Sequence, residues 1–330
     1  MIEIGYSLSC EEHPPSDLVR YAQQAEESGF TYAMISDHYH PWIGTQGQSA
    51  FVWSVIGAIA QATTRLQLGT GVTCPIIRYH PAIIAQAAAT AAAMMPGRFR
   101  LGVGTGENLN EHIVGQRWPA HAIRLAMLEE AIALIRLLWQ GGTHSHHGRF
   151  FTVENARLYT LPEQTPPIIV AAAGPRAATA AGRIGDGLIN YAADAKTVEQ
   201  FTAAGGAGKP RYAQVNVCWA EEEAAARRTA YNICPNVALK GQLGQELATP
   251  TMFEQAVGMV SEEQIAEVIA CGPDPERHIA AIQKFVDAGY DHLHIYQVGS
   301  EQAGFFRFYE REILPYFRML AAQKAQERAV

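Results

Sequence analysis

The chain has 330 residues, of which 48% are apolar and 17% charged, and its formal charge is −7. That length allows one large barrel or two domains, and no apolar run approaches the roughly 20 residues of a bilayer-spanning helix, so the chain reads as soluble. The acidic balance, without a Lys/Arg-rich stretch, argues against wide nucleic-acid contacts, because neutralising phosphates needs clustered cations.

The start, Met1 to Gly5, lacks the basic-then-apolar layout of a secretory signal, and a cytoplasmic location is expected. Cys10, Cys74, Cys218, Cys234 and Cys271 show no CxxC spacing, so buried thiols are expected rather than a disulfide framework or a zinc site.

In chain order, Ile2 to Leu8 alternates like a strand, and Pro14-Pro15-Ser16 opens a helix that carries Leu18, Ala22 and Ala25 on one face and stops at Gly29. Strand signals follow at Thr31 to Ile35, Leu66 to Val72 and Arg100 to Val103, separated by helical stretches at Phe51 to Thr63 and Pro81 to Met95. Ala120 to Trp139 is a long helix with Leu125, Leu128, Ile132, Ile135 and Trp139 at three-and-four spacing, a core stripe. Gly141 to Pro167 breaks the rhythm with a hairpin-like excursion. Strands resume at Ile168 to Ala172, Leu188 to Tyr191, Ala213 to Trp219 and His292 to Tyr296, with helices between them and a closing helix at Phe305 to Ala322. Glu221 to Ser261 is polar, mostly helical and punctuated by Gly and Pro, a second excursion. About eight strands alternating with helices predict a single (β/α)8 barrel over residues 1–330, with insertions after the fourth and seventh strands.

In such a barrel, catalytic groups sit at the C-terminal ends of strands. Ser36-Asp37-His38-Tyr39-His40-Pro41-Trp42 falls there, joining an imidazole able to exchange protons near neutral pH to a carboxylate and an indole. A solvated loop with a structural histidine is the plainer alternative. Gly102-Val103-Gly104-Thr105-Gly106-Glu107-Asn108-Leu109-Asn110 lets backbone N–H groups approach a phosphate or a flat ring, and it is not a dinucleotide fingerprint, since no paired half-fold surrounds it. Taken alone, a tight glycine turn explains it equally well. Ala171 to Arg176 runs from a strand into a helix N-terminus, where exposed amides and Arg176 suit a phosphate as well as an ordinary turn would. Leu68 to Pro75 ends the third strand with glycines and a proline suited to unusual backbone geometry. His144, His146 and His147 have no partnering carboxylate or cysteine pattern, and no metal is expected.

With these residues assembled, the chain resembles the luciferase-like family of flavin and deazaflavin enzymes, in the branch of F420-dependent glucose-6-phosphate dehydrogenase. The resemblance runs almost end to end. It rests on Ser36-Asp37-His38 with Pro41-Trp42, Arg78-Tyr79-His80-Pro81-Ala82, the Gly102 to Asn110 block, and Gly182-Arg183-Ile184-Gly185-Asp186-Gly187. It implies a barrel that forms a homodimer and binds coenzyme F420, a deazaflavin that exchanges hydride at C5. By position, Asp37, Gly71, Val72, Cys74, Thr105, Gly106, Asn110, Ala173, Gly174, Arg176 and Ala177 would hold the cofactor, with a non-proline cis bond at Gly71-Val72. Cys74 stands where the dehydrogenase has threonine and Ala173 where it has glycine.

The branch's catalytic trio is matched by His38, Trp42 and Glu107. The resemblance implies that His38 or Glu107 is the base, that the other serves as acid, and that Trp42 stabilises charge. Basic side chains that hold a sugar phosphate in the branch are replaced by Asp194 and Val268, while Lys240 lies near a third such position with different spacing. Glucose 6-phosphate is therefore expected to be a poor substrate, and an unphosphorylated sugar or alcohol a better one. The alternatives are an FMN-dependent monooxygenase and a non-catalytic deazaflavin-binding protein.

Overall fold

Apolar runs bounded by turn residues become buried parallel strands, and here they close on themselves. The computed structural model of the chain describes residues 2–239 and 241–327, so Lys240 lies outside the described residues. Its strands are β1 (Glu3–Leu8), β2 (Tyr32–Ile35), β3 (Gln67–Thr70), β4 (Phe99–Val103), β5 (Ile168–Ala171), β6 (Gly187–Asn190), β7 (Arg211–Cys218) and β8 (His292–Gln297). They pair in parallel in that order, and β8 returns to β1 through the register Gly5 with His294, giving a closed eight-stranded barrel with helices between strands. A two-residue strand, Ala270–Cys271, pairs in parallel with the C-terminal end of β7.

The first helix, Pro15–Ser28, buries Leu18, Tyr21, Ala22 and Ala25 and ends on Gly29 at φ 87°, a left-handed geometry that glycine adopts without a Cβ clash. The alanine-rich helix Pro81–Met94 lets its neighbour His121–Leu138 approach closely, and Trp139 Nε1 donates to the carbonyl of Ala85 at 2.9 Å. The expected stripe on His121–Leu138 is buried at Leu128, Ile132 and Ile135, while Leu125 is half-buried. The fully buried side chain in the helix's first turn is Arg124, whose guanidinium lies 4.0 Å from the Trp118 ring centroid and donates to the carbonyl of Pro119.

Between β4 and β5, the strands His144–His147 and Thr152–Ala156 form an antiparallel hairpin. Its histidines are tied locally: His144 bonds the carbonyl of Gly141, His146 faces Glu130 and His147 faces Glu154. Between β7 and β8, the helices Glu223–Ile233, Leu243–Glu246, Pro250–Val257 and Glu262–Val268 fold over the barrel mouth. All five cysteines are buried and free. Among the described residues, no helix is long and apolar enough to cross a membrane.

Candidate active site

Ser7 of β1, Ser9 just beyond it and Glu11 in the turn that follows line one cavity of about 1500 Å³ at the barrel mouth with His38, Trp42 and Glu107. Glu11 is only 4% exposed. Its carboxylate accepts from Ser9 Oγ at 2.8 Å and Ser36 Oγ at 2.6 Å, and its other oxygen lies 3.4 Å from His38 Nδ1. His38 Nδ1 also lies 3.2 Å from the carbonyl of His40. Two acceptors at Nδ1 fix the proton of the neutral ring there, leaving Nε2 as the bare nitrogen.

Trp42 packs beside that imidazole with ring centroids 4.9 Å apart, and Phe253 of helix Pro250–Val257 closes on Trp42 edge-on at 5.2 Å. The excursion after β7 thereby forms a lid over the loop after β2. Gly44 N donates to Glu254 at 2.9 Å and Thr45 Oγ1 to the carbonyl of Asn232 at 3.1 Å, anchoring the two pieces together.

Along the arc from β2 to β6, Met34, Gly71, Val72, Gly104, Ala171 and Ile189 present a largely apolar wall. The Gly71-Val72 peptide is cis. An added Cβ at Gly104 would stand 2.8 Å from Val72, and one at Gly106, whose φ is 74°, would stand 2.5 Å from Cys74 Sγ, so bare backbone is required at both. Helix Pro175–Ile184 starts at an extended Gly174 with no side-chain cap, and a Cβ on Gly174 would enter open space. Its first amides are left for an anion, with Arg176 beside them. A planar ring with an anionic tail fits this half of the cavity: glycine wall for the ring, uncapped helix for the tail.

Of the residues singled out in the sequence, His38, Trp42, Glu107, Gly71, Val72, Thr105, Gly106, Ala173, Gly174, Arg176 and Ala177 line the cavity. Asp37, Cys74 and Asn110 stand one layer behind it. The Asp37 carboxylate accepts from Thr73 Oγ1 at 2.7 Å and Arg78 Nη2 at 2.9 Å. Asn110 Oδ1 accepts from the amides of Tyr39 and His40, holding the loop that carries His38. Burial pushes the Cys74 thiol up, so it stays protonated. Arg78 also faces Glu111, whose carboxyl is pushed up to about 7 by desolvation despite that guanidinium. His40 Nδ1 donates to the carbonyl of Leu109 at 2.9 Å, a structural role.

Asp194 is a partial surprise. Instead of facing the cavity it caps helix Ala195–Phe201, accepting from Lys196 N and from Thr197 Oγ1 at 2.6 Å, and the Thr197 bond holds its carboxyl below the usual range. Val268 does line the cavity, as do Arg227 and Arg277, which are paired with Glu223 and Glu262. The sequence reading missed Glu11, Phe253 and three lumen residues, Gln214, Asn216 and His294.

A parallel barrel whose mouth joins a carboxylate-backed histidine to a slot for a planar, anion-tailed group is built as an enzyme that works on a substrate against a bound cofactor. The chain belongs to the luciferase-like monooxygenase family, whose model matches residues 2–292. It is 39% identical to the F420-dependent hydroxymycolic acid dehydrogenase of Mycobacterium tuberculosis over 96% of this chain and 88% of that protein. It is 34% identical to the F420-dependent glucose-6-phosphate dehydrogenase of Beutenbergia cavernae over the full length of both. Among solved structures it is similar to an F420-dependent secondary alcohol dehydrogenase in complex with an F420-acetone adduct, with a TM-score of 0.86 and 30% identity over 94% of this chain and 98% of that one.

Proposed function

We propose that the chain is an F420-dependent dehydrogenase that interconverts an uncharged secondary alcohol and its ketone. The observation that carries this reading is the Glu11–His38 pair opening onto the same cavity as the glycine-walled slot and the uncapped helix. Relatives named as F420-dependent dehydrogenases support the cofactor.

Gly71, Val72, Gly104 and Ala171 would hold the deazaflavin ring, and Thr105, Gly106, Ala173, Gly174, Arg176 and Ala177 its phosphate-bearing tail. Asp37, Cys74 and Asn110 support these contacts from behind. When bound, the deazaflavin supplies a two-electron hydride acceptor. His38 Nε2 takes the substrate hydroxyl proton, and the imidazolium so formed faces Glu11 at 3.4 Å. Trp42 and Phe253 wall the substrate off from water. Glu107, on the cofactor side of the cavity, holds or releases a proton at its carboxyl.

Glucose 6-phosphate would be a poor substrate because Val268 replaces a cation and the neighbouring Arg227 and Arg277 are already paired. A homodimer, as the resemblance implies, and a cytoplasmic location accompany this reading. Purified protein mixed with F420 and isopropanol is expected to lose the absorbance of the oxidised deazaflavin. No binding of F420, full turnover in His38→Ala, or oxygen-dependent product formation with FMN would overturn the proposal.

A further inference from the structure

The lumen wall facing the cofactor slot carries a group that neither the catalytic reading nor the packing uses. His294 points inward from β8, is 2% exposed, lines the cavity, and its Nδ1 has no hydrogen-bond partner. A buried imidazole left without partners costs free energy that packing does not return. Its neighbour in register on β7 is Gln214, whose Nε2 donates to Asn216 Oδ1 at 2.9 Å. That bond leaves Gln214 Oε1 and Asn216 Nδ2 uncommitted, and both residues line the cavity together with His294. Tyr32 of β2 packs against the imidazole edge-on, with centroids 6.4 Å apart and the rings inclined at 66°.

We propose that His294, Gln214 and Asn216 form a second subsite that hydrogen-bonds a neutral oxygen of the substrate, a hydroxyl or carbonyl other than the one that reacts. The proposal rests on the dehydrogenase reading, and it narrows the substrate class to alcohols and ketones bearing another uncharged oxygen. Two features set the oxygen's charge. Gln214 and Asn216 are neutral amides, and burial pushes His294 down to about 3, so the wall offers no cation to a carboxylate or phosphate. The position, on β7 and β8 across from Gly71, Val72 and Gly104, puts the subsite on the substrate's side of the slot.

The test uses the F420-loaded protein with isopropanol and propylene glycol, which differ by one hydroxyl. Wild-type kcat/KM is expected to favour propylene glycol by about 10- to 100-fold, the span set by leaving a buried polar group unpaired. His294→Leu is expected to lose about tenfold or more with propylene glycol while isopropanol and F420 affinity change less than about threefold, and His294→Gln to recover part of the loss. Equal loss on both probes, no wild-type preference, or weakened F420 binding in His294→Leu would overturn the subsite, the last by assigning the contact to the cofactor. If neither probe is oxidised, the dehydrogenase reading fails on these substrates. The His294 ring-nitrogen resonances then decide: a shift with propylene glycol but not isopropanol supports the subsite, and no shift, as for a resident water, refutes it.

Discussion

Glu11→Gln separates the electrostatic role of the carboxylate from its packing. The amide keeps the shape and one oxygen acceptor for Ser9 or Ser36, so the loop survives, but the imidazolium formed on His38 loses its counter-charge. At 3.4 Å and an effective dielectric of about 20, a unit pair interacts by about 5 kcal/mol, an upper bound before reorganisation. Hydrogen bonds to charged groups are worth about 1.5–3 kcal/mol net. Because that interaction grows as the proton arrives, most of it falls on the barrier, and kcat should drop by about 10- to 100-fold. Stopped-flow single turnovers, following the loss of oxidised-deazaflavin absorbance at saturating alcohol, read the chemical step directly. A loss below about threefold, or a loss matched by weaker F420 binding, would refute the assignment of Glu11 to His38.

His38→Ala and Glu107→Gln should each lower kcat by about 10²–10⁴-fold while fluorescence titration finds F420 affinity little changed. Arg176→Ala should weaken F420 binding by about tenfold and flatten its salt dependence, since the side chain flanks an uncapped helix N-terminus. Phe253→Ala removes the edge that fixes Trp42 and should raise KM and lower kcat together by about tenfold, with a red shift in Trp42 fluorescence. His278 is fully buried between Tyr309 and the carbonyl of Gly272, and burial pushes it down to about 4. Between pH 6.5 and 4 the unfolded chain therefore binds a proton that the folded chain refuses, and stability is lost as pH falls through that window. His278→Gln should reduce the slope of Tm against pH there.

The barrel was readable because buried parallel strands are short apolar runs between turn residues, and because strand and helix periodicities alternate on either side of two excursions. The resemblance singled out His38, Trp42 and Glu107, and the convergence of strand ends on one mouth accounts for their lining the same cavity. Glu11 was not, since Cys10-Glu11-Glu12-His13 looks like a solvated turn. Carrying the alternation of Gly5, Ser7 and Ser9 one step beyond the strand would have placed it in the lumen. Phe253 lay in a segment read only as polar and helical, and its contact with Trp42 spans a sequence distance that no local pattern encodes. Asp194 was read as a charge facing the substrate, whereas the helix it precedes claims the carboxylate as a cap, the ordinary fate of an aspartate before a helix.

The two arcs of the lumen have one further consequence. Residues facing the coenzyme slot come from β2 to β6, while Ser7, Gln214, Asn216, His294 and Tyr296 come from β1, β7 and β8. On the proposed reading, the coenzyme is held by β2 to β6, while β1, β7 and β8 add substrate contacts to those of His38 and Trp42. If that reading holds, exchanging β7 and β8 lumen side chains, over generations or in a directed library, would change the substrate while the redox partner stays fixed.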